Sequence, residues 1–226
     1  MTRKNTEGQT TMIDAFRARA DELGSTRPTG RFRTHTSLED GPAHERRVVA
    51  QAVARAKAGD HEAIRFLYMR YADNVYGYVR SIVHDHHEAE DIMQNVFGKL
   101  GKALDKYEPR EVPFTAWILR VSRNAALDHL RTRRAIPSEE VRSSDQGYEQ
   151  AGSDRSRSLK EALGQLPEEQ REVLILRHIA GLSPSEIATV LDKTEGSVHG
   201  LHHRGRGTLQ TALRDLGAAP ITAISR

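Results

Sequence analysis

Apolar residues recur at three- and four-residue spacing along most of the chain, which is the pattern of amphipathic helices. The longest run lies between Asp60, the predicted N-cap, and Ile82. A second run covers residues 89–100, and a third begins at Phe114 and ends at Arg134. No segment shows the two-residue alternation of a half-buried strand. The sequence therefore predicts an all-α protein.

A second helical block follows in residues 158–217. Its clearest signal is the run Ser183-Pro184-Ser185-Glu186, with serine at the N-cap, proline at the first helical position and glutamate completing a capping box. The short helix that it opens is followed by a turn at Asp192 and a longer final helix. This order predicts a helix-turn-helix, whose second helix fits the major groove of DNA. An ordinary helical hairpin with a solvated basic face is the alternative.

Segments without helical periodicity divide the chain. The polar residues 1–45 are expected to be largely disordered, apart from an amphipathic stretch at 11–23 that could form a short helix. Residues 137–157 are rich in serine, contain proline and glycine, and predict a flexible linker. We expect two small helical domains with this organisation: an N-terminal extension (1–45), a first domain (46–136), the linker (137–157), a second domain (158–217) and a C-terminal tail (218–226).

The composition narrows the class of protein. The 226 residues, 37% of them hydrophobic, can fill one core or two small ones. The absence of cysteine excludes disulfides, cysteine-based zinc sites and a thiol nucleophile. No apolar stretch is long enough to span a bilayer, and we expect a cytoplasmic protein without membrane insertion. The net charge of +3 is too small to indicate nucleic-acid binding by itself.

Basic residues are nevertheless clustered in two places. The exposed face of the final helix carries cations and hydrogen-bond donors that could reach phosphates and base edges: His199, His203, Arg204 and Arg206. Between Tyr107 and Arg134, aromatic residues are interleaved with arginines, which suits single-stranded nucleic acid because rings stack on bases. The alternative places Phe114 and Trp117 in the core and the last arginines, between residues 131 and 134, at a helix C-terminus, where cations are favoured.

The chain contains eleven histidines, which raises the question of a metal site. Four potential ligands cluster at one turn, namely His84, His86, His87 and Glu88. His199 and His203 have the spacing of a helical zinc pair, but no third ligand is evident in the sequence. No nucleotide-binding loop, nucleophile elbow or paired-carboxylate arrangement stands out either. We therefore expect no metal, no other cofactor and no enzymatic activity.

Three segments resemble a known family when they are taken together. Residues 88–97, EAEDIMQNVF, resemble the AEDLVQETF signature of region 2 of bacterial sigma factors, and residues 114–128, FTAWILRVSRNAALD, resemble its continuation. Residues 166–177, LPEEQREVLILR, are similar to the opening of region 4. On these motifs and their order, the chain is identified as a member of the extracytoplasmic-function (ECF) group of the sigma-70 family, which keeps only regions 2 and 4.

The resemblance implies a sigma factor that binds core RNA polymerase and directs promoter-specific transcription initiation. Three residues match the polar face that docks on the polymerase: Asp91, Gln94 and Asn95. Residues of the fourth helix and the preceding loop match those that engage the minus-ten element, where a base is flipped into a pocket: Arg110, Trp117, Arg120, Arg123 and Asn124. Residues of the last helix match those that read the minus-thirty-five element as duplex DNA: Ser197, His199, His203, Arg204 and Arg206.

The last helix departs from the family pattern. The common VKSRLHRAR is VHGLHHRGR here, over residues 198–206, and His202 stands where many relatives bury a leucine. We expect Leu201 to supply the core contact instead. Four glycines between residues 196 and 207 lower the helix propensity, so this helix could tighten only on DNA.

The resemblance also implies a protein partner, because ECF sigma factors are often restrained by an anti-sigma factor. The alternative function is that of a conventional helix-turn-helix regulator whose N-terminal helices form a sensor or dimerisation domain. The aromatic and basic stretch at 107–134 and the polar face at Asp91 argue against that alternative.

Overall fold

The computed structural model describes residues 42–109, 112–135 and 154–218. Within these ranges all regular structure is helical, which confirms the predicted fold class. The helices are α1 (Pro42–Lys57), α2 (His61–Val83), α3 (His86–Gly98), α4 (Leu100–Leu104), α5 (Phe114–Ala135), α6 (Asp154–Gly164), α7 (Glu168–His178), α8 (Pro184–Leu191) and α9 (Glu195–Asp215). They form two compact units, one of α1–α4 with Phe114 and the part of α5 from Val121 onward, the other of α6–α9 with Thr115–Arg120 of α5. None of these helices is both long and apolar enough to cross a bilayer.

Helix α2 is the central helix of the first unit, and α1 and α3 pack against it. It begins as predicted at the N-cap Asp60, whose Oδ1 accepts hydrogen bonds from the backbone N–H groups of Glu62 and Ala63 at 2.9 and 3.3 Å. Its apolar stripe is buried through several turns, and Leu67 and Val75 are fully enclosed. The apolar spacing in the sequence therefore identified both the helix and its buried face.

The connection between α2 and α3 is a two-residue corner. His84 adopts a left-handed conformation with φ 61° and closes α2, its N–H donating to the carbonyl of Arg80 at 3.0 Å. Asp85 then caps α3, its Oδ1 accepting from the backbone N–H of Glu88 at 2.9 Å. Because these two residues end one helix and start the next, the side chains of the first turn of α3 are held in a defined place.

The segment that leads into α5 is attached to the core by its aromatic residues. The Tyr107 hydroxyl donates to the carbonyl of Val112 at 2.9 Å, and Lys57 Nζ donates to the Tyr107 carbonyl at 2.6 Å. The Phe114 ring meets the rings of Tyr71 and Tyr107 edge to face, at centroid distances of 5.1 and 5.7 Å. Burial raises the pKa of Tyr107 to about 12. Phe114 is therefore a core residue, as the alternative interpretation of the aromatic and basic stretch predicted, and Tyr107 is buried as well.

The second unit contains the predicted helix-turn-helix. The capping box of α8 is present, since Glu186 Oε2 accepts from the Ser183 N–H at 2.6 Å and Ser183 Oγ accepts from the Glu186 N–H at 3.3 Å. Asp192 takes the left-handed conformation, with φ 54°, that turns the chain. Thr194 caps α9 by accepting from the Ser197 N–H at 3.2 Å. Local side-chain chemistry thus defines both ends of the turn.

Two helices begin earlier than the sequence predicts. Helix α1 begins at Pro42, inside the predicted N-terminal extension, and α6 begins at Asp154, inside the predicted linker. The apolar stripe marks only the turns of a helix that are buried, so a polar first turn gives little signal.

Several predictions fall outside the described residues. They concern the short helix at 11–23 in the N-terminal extension, most of the linker, the end of the C-terminal tail and the promoter contact of Arg110. The boundaries of the two domains stay predictions as well.

Gly205 marks the closest approach of α9 to α7. A Cβ at this position would lie 3.2 Å from Gln170 Cβ, 3.3 Å from the Gln170 carbonyl oxygen and 3.4 Å from Leu174 Cδ1. The Gln170 carbonyl oxygen is part of the α7 backbone and the Gln170 Cβ is bonded to that backbone, so neither atom can easily move away. At Gly207, on the same helix, a Cβ would meet nothing within 4 Å. Packing therefore requires glycine at the first position but not at the second.

The two glycines provide a matched test of this packing. Either substitution by alanine gains up to about 1 kcal/mol of helix propensity, whereas overpacking at position 205 costs about 1–3 kcal/mol. We expect Gly207→Ala to raise the free energy of unfolding, and Gly205→Ala to give a value about 1–3 kcal/mol below that of Gly207→Ala. Urea unfolding followed by circular dichroism measures both, and equal stabilisation by the two substitutions would contradict the prediction.

Candidate nucleic-acid interface

The exposed surface of α9 has two flanks. Val198, Leu201 and Gly205 are buried against the rest of the unit. At about 100° per residue, the five exposed residues predicted to contact the minus-thirty-five element separate into two groups on either side of this buried stripe. One flank carries Ser197 and Arg204, and the other carries His199, His203 and Arg206. The structure thus brings three of the five together and places the other two across the helix.

The flank with the histidines borders a shallow open depression of about 570 Å³. Its lining is polar and basic: His199, His202, His203, Arg206, Gly207 and Gln210. On the opposite flank, Arg204 lies over Gly200, where a Cβ would come within 3.3 Å of a guanidinium nitrogen. The glycine at position 200, one of the departures from the family pattern, therefore leaves room for the arginine to lie against its own helix.

Polar contacts fasten the helix-turn-helix to α7. Lys193 Nζ, in the turn, lies 2.7 Å from Glu169 Oε1, and the Arg177 guanidinium donates to the Leu182 carbonyl at 2.8 Å. Exposed ion pairs contribute little stability. Most of the free energy that holds these helices together therefore comes from packing of fully buried side chains, such as Val173, Leu176 and Ile187. The polar contacts fix the direction in which α8 and α9 leave α7.

His202 on α9 is paired with His178 on α7. Their Nε2 atoms are 3.0 Å apart, the ring planes differ by 29° and the centroids are separated by 5.2 Å. The rings therefore meet nitrogen to nitrogen, with one Nε2–H donating and the other Nε2 accepting, so at least one of the two imidazoles is neutral while the bond exists. Leu201 is buried beside this pair, which confirms the expectation that it replaces the usual core leucine.

The surroundings of this pair oppose its protonation. Partial burial, followed by the positive charges of Arg177 and Arg206, lowers the pKa of His178. Partial burial and then the neighbouring His178, with Arg206 and Arg177, lower the pKa of His202. His199 adds a smaller contribution in the same direction. The pair therefore stays neutral at a pH at which an ordinary histidine begins to take up a proton.

Helix α5 presents a narrower surface than the sequence predicts. Arg120 and Asn124 are exposed and lie one turn apart on the same side, and Arg123 is half-buried next to them. Trp117 is only 6% exposed, so its ring offers no stacking surface in this structure. Four residues of this helix were predicted to contact the minus-ten element. Two of them form an exposed stripe, one borders that stripe and one is buried.

The polar face of α3 consists of Asp91, Gln94 and Asn95. All three side chains are exposed and share one side of the helix, opposite the buried Ala89 and Ile92. Among the described residues they make no side-chain hydrogen bond or ion pair with one another or with neighbours. We call this group the α3 polar face.

On another side of the same helix, Glu88 joins α3 to α5. Its carboxylate oxygens lie 3.0 and 3.2 Å from an Arg133 guanidinium nitrogen, and Oε1 lies 3.4 Å from His129 Nε2. Glu88 is therefore engaged within the unit, whereas the α3 polar face is open to a partner.

Both units match known sequence families. The model of sigma-70 region 2 matches residues 67–136, and that of sigma-70 region 4 matches residues 156–209. The RNA polymerase sigma-H factor of Pseudomonas aeruginosa is 30% identical over 182 residues, which cover 74% of this chain and 94% of that protein. The chain belongs to the sigma-70 family.

Further likenesses agree with the ECF group named from the motifs. The ECF RNA polymerase sigma factor SigW of Bacillus subtilis is 27% identical to this sigma factor over 185 residues, or 75% of this chain and 98% of that one. Among solved structures, CnrH in complex with the cytosolic domain of CnrY is similar with a TM-score of 0.54 and 27% identity, covering 76% of this chain and 97% of that one. The matches confirm the prediction from the motifs that the chain belongs to the ECF group of sigma factors.

These matches also decide between the two functions that the sequence left open. The region 2 match runs from α2 to α5, the helices that a conventional regulator would use for sensing or dimerisation. The regulator alternative is therefore not favoured. The sequence did not reveal the role of His178, because its partner His202 is 24 residues away. The one signal was His202 itself, which stands where many relatives bury a leucine.

The His178–His202 pair predicts how the sigma factor responds to acid. An unfolded histidine has a pKa of about 6.5. The pKa of each folded partner is lower, so below that pH the unfolded chain binds more protons than the folded chain. Stability contributed by the pair is thus present above about pH 6.5 and lost as the pH falls through the folded values. Substituting both partners by glutamine should reduce the fall in thermal midpoint between about pH 7.5 and about pH 5.5.

The matched control for this test is His203→Gln, which removes an exposed histidine of α9 outside the pair. It should leave the acid sensitivity as it is in the unsubstituted chain. Equal acid sensitivity in the paired variant and the unsubstituted chain would show that these two imidazoles do not carry the effect.

Proposed function

We propose that this sigma factor divides promoter recognition between its two units. The first unit binds core RNA polymerase through the α3 polar face and opens the minus-ten element with α5, and the second reads the minus-thirty-five element as duplex DNA with α9. The observation that carries the proposal is the succession of region 2 and region 4 in one chain, each with exposed polar residues at the matching positions. The protein is not an enzyme, and it acts in the cytoplasm, where the polymerase performs the chemistry.

The α3 polar face suits a polar partner surface. Its carboxylate accepts hydrogen bonds, and its two amides both donate and accept them, so together they can satisfy a mixed set of partner groups. The buried stripe of α3 and the Glu88–Arg133 contact hold the helix from other sides. Because little has to reorganise, binding would cost little ordering entropy.

Helix α5 contributes to opening of the duplex through Arg120, Arg123 and Asn124. Extruding one base costs a few kcal/mol, which contacts to the displaced strand must offset. Guanidinium groups can follow the phosphates, and the Asn124 amide can both donate to and accept from a base edge. With Trp117 buried, stacking would have to come from residues outside this stripe, and the proposed contact of Arg110 lies outside the described residues.

Helix α9 reads duplex DNA with both of its flanks. A helix lying in the major groove faces a wall on either side, and each flank of α9 offers donors to one of these walls. Arg204 and Ser197 would contact one wall, and His199, His203 and Arg206 the other. The two-flank arrangement supports a helix that enters the groove with its buried stripe turned toward its own unit.

A restraining protein partner completes the proposal. The solved structure of CnrH contains the cytosolic domain of CnrY, so a similar chain is known in complex with a domain of another protein. We propose that this sigma factor likewise binds an anti-sigma factor that covers surfaces needed by the polymerase.

The polymerase contact is tested by reversing charge on the α3 polar face. With purified core polymerase, promoter-directed initiation should require the chain, and Asp91→Arg combined with Gln94→Ala should weaken core binding by about tenfold or more, because misplaced charge at an interface costs several kcal/mol. Helix content should not change, since both positions lie off the buried stripe. The control is Asp105→Arg, an exposed acid outside this face. Initiation without the chain, or unchanged affinity of the double variant, would refute the assignment.

The division between duplex reading and melting is tested by two substitutions. Arg204→Ala should weaken binding to the minus-thirty-five duplex and lower its salt slope by about one. Asn124→Ala should leave that binding intact and impair open-complex formation, which permanganate footprinting measures. Arg214→Ala, in the last turn of α9, serves as the control for a general loss of positive charge. If Arg204→Ala and Asn124→Ala affected the same step, the proposed division would be wrong.

A further inference from the structure

The first turn of α3 brings two imidazoles and a carboxylate together. The ligand atoms of His86, His87 and Glu90 all lie within 4.8 Å of one another. On an α-helix these three positions fall within an arc of about 100°. We propose that this group, called the α3 triad below, is a binding site for a divalent transition metal, for which zinc is the probe.

The composition of the triad differs from the cluster that the sequence suggested. His84 closes α2 in its left-handed conformation, and Glu88 is turned toward Arg133 on α5. Glu90, one helical turn after His86, takes their place: its Oε1 is 3.5 Å from His86 Nε2. Of the four potential ligands that the sequence placed at this turn, only His86 and His87 belong to the triad.

His86 is oriented as metal-binding histidines are. It is buried, and its Nδ1 lies 2.6 Å from the Tyr76 hydroxyl, with the two rings edge to face at 5.8 Å. In the tautomer in which Nδ1–H donates to the tyrosine oxygen, Nε2 carries the lone pair that a metal would bind, 3.5 Å from Glu90 Oε1. A hydrogen bond on one ring nitrogen that holds the other for the metal is the usual outer contact of such ligands.

The other two ligands make the site accessible and define its chemistry. His87 is exposed and Glu90 is partly exposed, so an ion can enter from solvent. Two imidazoles and one carboxylate suit zinc and its first-row neighbours, whereas calcium and magnesium prefer all-oxygen sites. Three protein ligands leave one tetrahedral position for water.

The charge of the turn favours a cation in spite of the helix dipole. The N-terminus of α3 carries a partial positive charge that opposes a bound metal. Three carboxylates at the N-cap and in the first two turns oppose this charge, namely Asp85, Glu90 and Asp91, whereas the charge of Glu88 is balanced by Arg133. Asp91 follows Glu90 directly and lies one turn from His87, so a bound ion would stand beside the α3 polar face. That consequence rests on the proposed function, whereas metal binding itself does not.

Zinc affinity of the full chain tests the proposal without polymerase or DNA. Competition against a chromophoric zinc chelator should show one site that His87→Ala and Glu90→Gln each weaken by about tenfold or more. Tyr76→Phe, which removes only the hydroxyl behind His86, should weaken the same site by about tenfold. A purely structural role of these side chains would not change zinc affinity.

The control is His199→Ala, because His199 Nε2 is also near a glutamate oxygen, 3.8 Å from Glu195 Oε1, but no third ligand completes the group among the residues that the structure describes. It should leave zinc binding unchanged. Circular dichroism verifies that each variant is folded. If one of the three triad and Tyr76 variants loses its helices, the zinc affinities of the other two test the proposal. The proposal is overturned if the triad variants bind zinc like the unsubstituted chain, or if His199→Ala is the substitution that removes the site.

Discussion

Burial of one apolar stripe per helix is the constraint on which both units depend. Each unit is small, so nearly every large apolar side chain of its helices is needed in the core, as Leu67, Leu104 and Ile187 illustrate. Once a stripe is buried, the opposite side of the helix must face solvent. The α3 polar face, the Arg120–Asn124 stripe and the two flanks of α9 are all surfaces defined in this way.

Short polar motifs convert these stripes into a particular geometry. Asp60, Asp85, Ser183 and Thr194 each satisfy backbone N–H groups at the start of a helix. Left-handed residues at His84 and Asp192 turn the chain where no glycine is present. Because these caps and turns fix where each helix begins, they also fix the angle at which functional side chains leave the helix axis.

Histidine has three different roles in this sigma factor, and its surroundings decide between them. His202 meets His178 between two helices, where partial burial and then nearby positive charges lower the pKa of both imidazoles. His86 lies beside Tyr76 and Glu90 in a carboxylate-rich turn, which favours a cation. His199 and His203 stay exposed on α9, where they can face DNA. The same side chain therefore serves packing in one place and suits the proposed metal binding or the proposed recognition of DNA in the others, according to local charge and burial.

The sequence by itself determined the helices, the turn chemistry and the family, because periodicity, caps and motifs depend on neighbouring residues. It also predicted that Leu201 would replace a core leucine. The contacts between distant residues were decided only by the tertiary structure: the burial of Trp117, the pairing of His178 with His202, and the contact of Glu88 with Arg133, 45 residues away. Such choices depend on which helix packs against which, and residues far apart in sequence leave no local pattern that could reveal them.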